Sequence, residues 1–146
     1  MASIQPALRS RTVVRLANLG LGVGTTLFGL VPLVAPRRFA ETFGIPMTDG
    51  PAADVVVRSV SARDVISGIG IISATLHGGR VTPWILARAL ADGTDAVAIA
   101  IAYRSGARGW RLLLLGAIAL GAALGDIVLY RANRQLAVSV PADTDV

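Results

Sequence analysis

Four apolar stretches, over about 16–35, 54–77, 83–103 and 112–130, dominate the chain, and the middle two are interrupted by Arg and Asp. Each is close to the roughly 20 residues that a helix needs to cross a bilayer. An apolar helix of that length with charges inside it has one stable arrangement in lipid, with aliphatic side chains outward and charges turned to its neighbours. The expected fold is therefore all-α, a four-transmembrane-helix up-down bundle whose short connections make successive helices antiparallel neighbours. Composition agrees. Hydrophobic residues make up 53% of the chain and charged residues 16%, where a soluble domain carries about a quarter. The 146 residues leave room for one domain.

Three parts are expected: a basic N-terminal segment over 1–14, a membrane domain over 15–131, and a disordered tail over 132–146. The first stretch exceeds the apolar region of a signal peptide, so it is read as a retained span. The longest polar loop runs from Pro36 to Pro51, and Pro83 opens the third span at a position where a first-turn proline is tolerated. His77 precedes Gly78-Gly79 and reads as a helix C-cap. Trp84, Tyr103, Trp110 and Tyr130 fall at span ends, where aromatic rings anchor to the interface.

Several function classes are excluded. The chain has no cysteine and one histidine, which removes disulfides, a cysteine nucleophile and multi-imidazole metal sites. Gly20-Leu21-Gly22-Val23-Gly24 lacks a preceding strand and a following Lys-Ser/Thr, so it is a packing face and not a phosphate loop. Neither a metal nor a cofactor is expected. Net charge is +5 and all 14 basic residues are arginines, a skew that fits a GC-rich bacterial genome. They cluster at stretch ends, which suits lipid headgroups and not nucleic acid. The expected location is the cell membrane, multi-pass, with cytoplasmic termini because the first helix dominates orientation.

The buried charges are the most informative feature. Arg88, Asp92 and Asp95 are spaced i, i+4, i+7, which places them on one helical face with Trp84 and Ile99. Asp54, Arg58, Ser61 and Asp64 form a similar stripe on the second span, continued by Gly68 and Thr75, with Arg63 on nearly the opposite side. Antiparallel packing brings Asp64 and Arg63 to the depth of Asp92, and Asp126 and Asn18 near the depth of Arg88. Asp92, Asp95 and Asp64 are the candidate catalytic residues, because paired carboxyls can take and give protons on a substrate. Arg58, Arg63, Arg88, Ser61 and Trp84 are candidate substrate-binding residues. Asp126, Asn18 and Asp54 are expected to be structural polar groups. The competing reading is that this Arg–Asp network only fixes helix register.

Around these residues the chain resembles an uncharacterised family of small four-helix membrane proteins, domain of unknown function 4267. The similar features are Phe43-Gly44-Ile45-Pro46, Arg58 with Ala62-Arg63-Asp64 and Gly68, and Asp92 with Asp95, over about residues 15 to 130. A glycine often stands in that family where this chain has Ser61, which implies looser helix packing here. The resemblance implies a fold and shared polar positions and supplies no reaction.

Three functions fit this reading. The leading one is an acid–base enzyme of isomerase, hydratase or cyclase type, acting on a lipophilic small molecule that enters from the bilayer. It requires an apolar pocket that reaches the carboxyls. The second is an accessory subunit of a membrane complex or homo-oligomer, with no pocket and an exposed small-residue face. The third is a proton-coupled carrier of a small solute, assembled from more than one copy.

Overall fold

The computed structural model describes residues 4–138, with side chains from residue 10 onward. They form five helices and no strand: α1 (Ile4–Val34), α2 (Pro36–Phe43), α3 (Pro51–Leu76), α4 (Thr82–Arg104) and α5 (Trp110–Val138). Proline punctuates the chain. Pro36 and Pro51 open α2 and α3 within their first turns, where a missing N–H costs nothing. Ala35, before Pro36, leaves helical geometry at φ −128°, as a residue preceding proline prefers.

Helix α2 lies within the stretch expected as a polar loop. Pro36 and Ala40 are buried and Phe39 and Phe43 half-buried, while Arg37, Arg38 and Glu41 face out, so a short amphipathic pattern sits among charges. The Gly44-Ile45-Pro46 motif ends it. Gly44 adopts φ +67°. Its N–H donates to the Glu41 carbonyl at 3.2 Å, and that of Ile45 donates to the Ala40 carbonyl at 2.8 Å. This is a Schellman closure, which requires a left-handed residue at that point. Two further boundaries differ from expectation. Residues 4–14 are the first turns of α1, and α5 continues through 132–138, a part expected as tail; residues 139–146 lie outside the described residues. His77 caps α3 as expected, its N–H bonded to the Ser73 carbonyl at 3.0 Å.

The helices pack as two close pairs, α1 with α3 and α4 with α5, and touch more lightly across the pairs. The α1–α3 seam is built on glycine. A Cβ at Gly22 would lie 2.9 Å from the Gly68 carbonyl, and one at Gly68 would lie 2.7 Å from the Gly22 carbonyl. Near Ser61 the seam stays close, because Gly29 supplies the missing volume: its Cβ would come within 3.0 Å of the Ser61 carbonyl. The looser packing implied by Ser61 is thus offset from the other helix. Ile85 and Ala89 of α4 and Leu112 and Ala123 of α5 are buried, and these two helices are close enough that a Cβ at Gly116 would lie 3.0 Å from Ile99 Cγ2.

Polarity is inverted relative to a soluble domain. Asn18, Thr25, Ser61, Asp92 and Asp126 are buried, whereas Val56, Ile66, Leu90, Leu124 and Val128 are more than half exposed. Two segments, Ser10–Val34 and Trp110–Val138, are long and apolar enough to cross a membrane.

Candidate functional site

The site is built from two helix faces that meet at mid-height. On α3 the buried residues Ser61, Ser67, Gly68 and Ile71 fall within about 60° of Asp64 at 100° per residue. Asp64 therefore sits at the centre of the inward arc. On α4, Ile85, Ala89 and Asp92 are buried, and the neighbouring stripe of Arg88, Asp92, Asp95 and Ile99 borders a cavity.

Two arginines organise the carboxylates. Arg88 Nη2 lies 2.8 Å from Asp92 Oδ2, and Arg88 Nε lies 3.0 Å from Asp126 Oδ2 on α5. Asp126 is 1% exposed. The contacts are close but poorly aligned, so Arg88 Nε, Asp92 Oδ2 and Asp126 Oδ2 are buried with no hydrogen bond. Arg63 bridges the helix pairs: its Nη2 donates to Asp95 Oδ2 on α4 at 2.7 Å and to Asp64 Oδ1 at 3.4 Å. Asp92 and Asp95, one turn apart, thus face different guanidinium groups.

Between the two helix pairs lies a partly open cavity of about 560 Å³. Its polar part is Ser61, Asp64, Arg88, Asp92 and Asp95; the rest of the wall is apolar apart from Thr25. The Ser61 and Thr25 hydroxyls donate to their own helix, to the Val57 and Leu21 carbonyls at 2.6 and 2.8 Å. The two hydroxyls can then only accept from a ligand, and Arg88 is the one cationic donor on the wall among the described residues. Gly20 and Gly24 border the cavity, and a Cβ at either would meet nothing within 4 Å. Gly22 between them belongs to the seam, so the glycine run serves two faces. Helix α2 closes the end of the cavity: Phe39, Ala40 and Ile45 border it, with Phe28 edge-on to Phe39 at 5.8 Å.

All three candidate catalytic residues, Asp64, Asp92 and Asp95, line this cavity together with Arg88 and Ser61. The other expected members do not. Arg58 is exposed and has no carboxylate within ion-pair distance among the described residues. It stands about 120° from Asp64 around α3, beyond the inward arc. Trp84 lies over Gly70 of α3, whose Cβ would touch the indole. It sits about 12 Å along α4 from Asp92 and does not border the cavity. Arg63 borders no part of the cavity and instead ties Asp64 to Asp95.

Two structural polar residues have partners that were not foreseen. Asp54 meets Arg37 of α2 at 3.2 Å, and Arg37 also donates to the Gly50 carbonyl at 3.0 Å, which fixes the α2–α3 connection. Asn18 pairs with Asn133 of α5 through two amide hydrogen bonds of 2.9 Å and not with Arg88. Asn133 follows Asp126 by seven residues, so this pair lies about 10 Å beyond the Arg88 layer. The i, i+7 spacing of Asp126 and Asn133 was a usable signal, obscured by ending the fourth span at Tyr130.

Against known proteins, residues 22–137 match a family model described as Domain of unknown function (DUF4267). No curated protein and no solved structure matches the chain.

Proposed function

The chain belongs to the DUF4267 family, and from its cavity we propose a four-span membrane protein that binds a lipophilic small molecule and performs acid–base chemistry on it. In this reading α1, α3, α4 and α5 cross the bilayer. The 26 residues of α3 and 23 of α4 are about 39 and 35 Å long, enough for a hydrocarbon core of about 30 Å. Their charges are met by partners or lie near an end, as lipid requires. Helix α2 rests at one interface with Arg37 and Arg38 outward.

One observation carries the proposal: a largely apolar cavity of ligand size is lined by Asp64, Asp92 and Asp95. A network that served only helix register would need no such space. Asp92 and Asp95 are the proton-transfer groups and Asp64 supports them. Arg88, held by Asp92 and Asp126, orients a substrate oxygen. Isomerisation, hydration and cyclisation are the reaction types that such a carboxyl set performs without a cofactor. One observation also favours a helix partner. Ala117, Gly121 and Gly125 are exposed along α5, and a Cβ at either glycine would meet nothing; small residues of this kind let membrane helices approach. An oligomer through this face is compatible with the enzyme.

The test uses Asp92→Asn and Asp95→Asn. Each variant leaves its arginine a second carboxylate, Asp126 for Arg88 and Asp64 for Arg63, so both should insert and melt near the wild type in detergent. Mass spectra of lipid extracts from producing and deletion cells should differ, and either variant should abolish the difference, because an amide cannot relay a proton. Identical extracts from producing and deletion cells would remove the enzyme reading. A steep loss of melting temperature in both variants would assign the carboxyls to structure.

A further inference from the structure

Charge around the cavity does not balance. Asp64, Asp92, Asp95 and Asp126 stand against Arg63 and Arg88, an excess of two carboxylates at mid-height. Arg58 does not correct it, being exposed on another face of α3, and Arg37 is taken by Asp54. The excess is concentrated on the cavity side, since Asp126 lies behind Arg88 and the other three carboxylates line the wall. Asp92 sharpens the point. Its side chain is nine-tenths buried and it borders the cavity, and its arginine partner Arg88, 2.8 Å away, is shared with Asp126. Two carboxylates on one guanidinium keep lone pairs for a further N–H group.

We propose that the ligand of this cavity is a lipophilic monocation, an apolar body ending in an ammonium or equivalent N–H cation that settles among Asp64, Asp92 and Asp95. The inference rests on the reading that the cavity holds a lipophilic molecule, and adds the sign of its charge. A fatty carboxylate would add to the excess, and a neutral alcohol would leave it unchanged. Of the three only a cation reduces it, and in low dielectric the opposite charge is felt strongly. The rest of the cavity suits the body of such a molecule. Val56, Val57 and Val60 continue the α3 wall for about 12 Å beyond Asp64 toward α2. Gly24, Ala98 and Ala122 keep the space open.

The experiment compares three probes of one chain length on the full chain in non-ionic detergent: dodecylamine, which is charged at pH 7 as lysine is, dodecanol and dodecanoate. Binding is read from the shift of melting temperature with ligand concentration. Dodecylamine should bind about tenfold more tightly than dodecanol, the scale of one charge-assisted contact, and dodecanoate should not stabilise the protein. Asp92→Asn and Asp64→Asn should each erase most of that preference, while Gly24→Leu, which fills open space on the cavity wall, should weaken amine and alcohol alike. If dodecanol matches dodecylamine and Gly24→Leu blocks both, the cavity reading stands and the monocation is wrong, the excess charge being carried by protons. If dodecylamine stabilises the wild type, both Asn variants and Gly24→Leu equally, it acts on the micelle or the outer surface, and the monocation site is refuted. If no probe binds, the lipophilic-ligand reading fails and the monocation falls with it.

Discussion

The two helix pairs are joined by different physics. Between α1 and α3 the seam is shape: Gly22, Gly29 and Gly68 let the backbones meet, and no charged pair crosses it among the described residues. Between α4 and α5 the seam is aliphatic side chains plus one buried ion pair, Arg88 with Asp126. Shape holds a seam without leaving any group unsatisfied. Charge holds one only while each partner is present, and here the same arginine also holds Asp92 on the cavity wall. The α1–α3 seam is therefore scaffold even though α3 carries Asp64, and the α4–α5 seam is where structure and candidate chemistry share a residue.

The largest test of that contrast is Arg88→Leu. It leaves Asp92 and Asp126 buried with no base within ion-pair distance among the described residues, and removing one partner of a buried pair typically costs about 3–5 kcal/mol. The variant should melt far below the wild type in detergent or fail to accumulate in membranes. Adding Asp92→Asn and Asp126→Asn to it should recover most of the loss, since removing both signs of a buried pair is often neutral. If Arg88→Leu alone melts like the wild type, the α4–α5 seam is held by its aliphatic residues and the charge does no structural work.

A smaller effect is expected on the other pair from Gly68→Ala. Its new methyl would meet the Thr26 hydroxyl, with the Gly22 carbonyl and the Thr26 nitrogen at 2.7 and 2.8 Å, so backbone has to shift. Overpacking of this kind costs about 1–3 kcal/mol. Gly24→Ala is its control, two residues from Gly22 but facing open cavity. A helical Gly→Ala change there should be neutral or raise the melting temperature, because glycine is the weaker helix former. If both substitutions lower the melting temperature equally, the seam is not specific to its glycines.

What could be read from the sequence follows the same division. The helical stretches were legible from hydropathy, and the carboxylates of the cavity wall from the i, i+4, i+7 spacing on α4 and from Asp64 on α3. Register around α3 was not. Asp54, Arg58, Ser61 and Asp64 share one broad stripe, and only packing against α1 sets the centre of the buried arc at Asp64, which takes Arg58 out of it. Helix α2 was hidden because its arginines made the segment look like loop, though Phe39, Ala40 and Phe43 already marked an inward face. The Asn18–Asn133 pair was hidden because amides carry no charge to be balanced, so nothing in composition required them to meet.

The smallest effect is expected at Arg58 itself, and it decides how far the charge network extends. Arg58 is exposed on α3 with no ion-pair partner among the described residues. It lies seven residues from Pro51, about 10 Å from the α2 end of the helix. In the four-span arrangement proposed above, a long arginine side chain at that depth would carry its guanidinium back to the headgroups. Removing it should free no buried carboxylate, so Arg58→Ala should change stability by no more than the roughly 0.5 kcal/mol of an ordinary surface substitution. Amine binding gives the finer reading. Loss of a guanidinium that took part in the cavity would leave a second carboxylate uncompensated and raise the affinity for dodecylamine several-fold. Loss of one that faces headgroups would leave that affinity unchanged, which is the expected result. A large change in either measurement would return Arg58 to the cluster and place α3 in a different rotation from the one that centres Asp64.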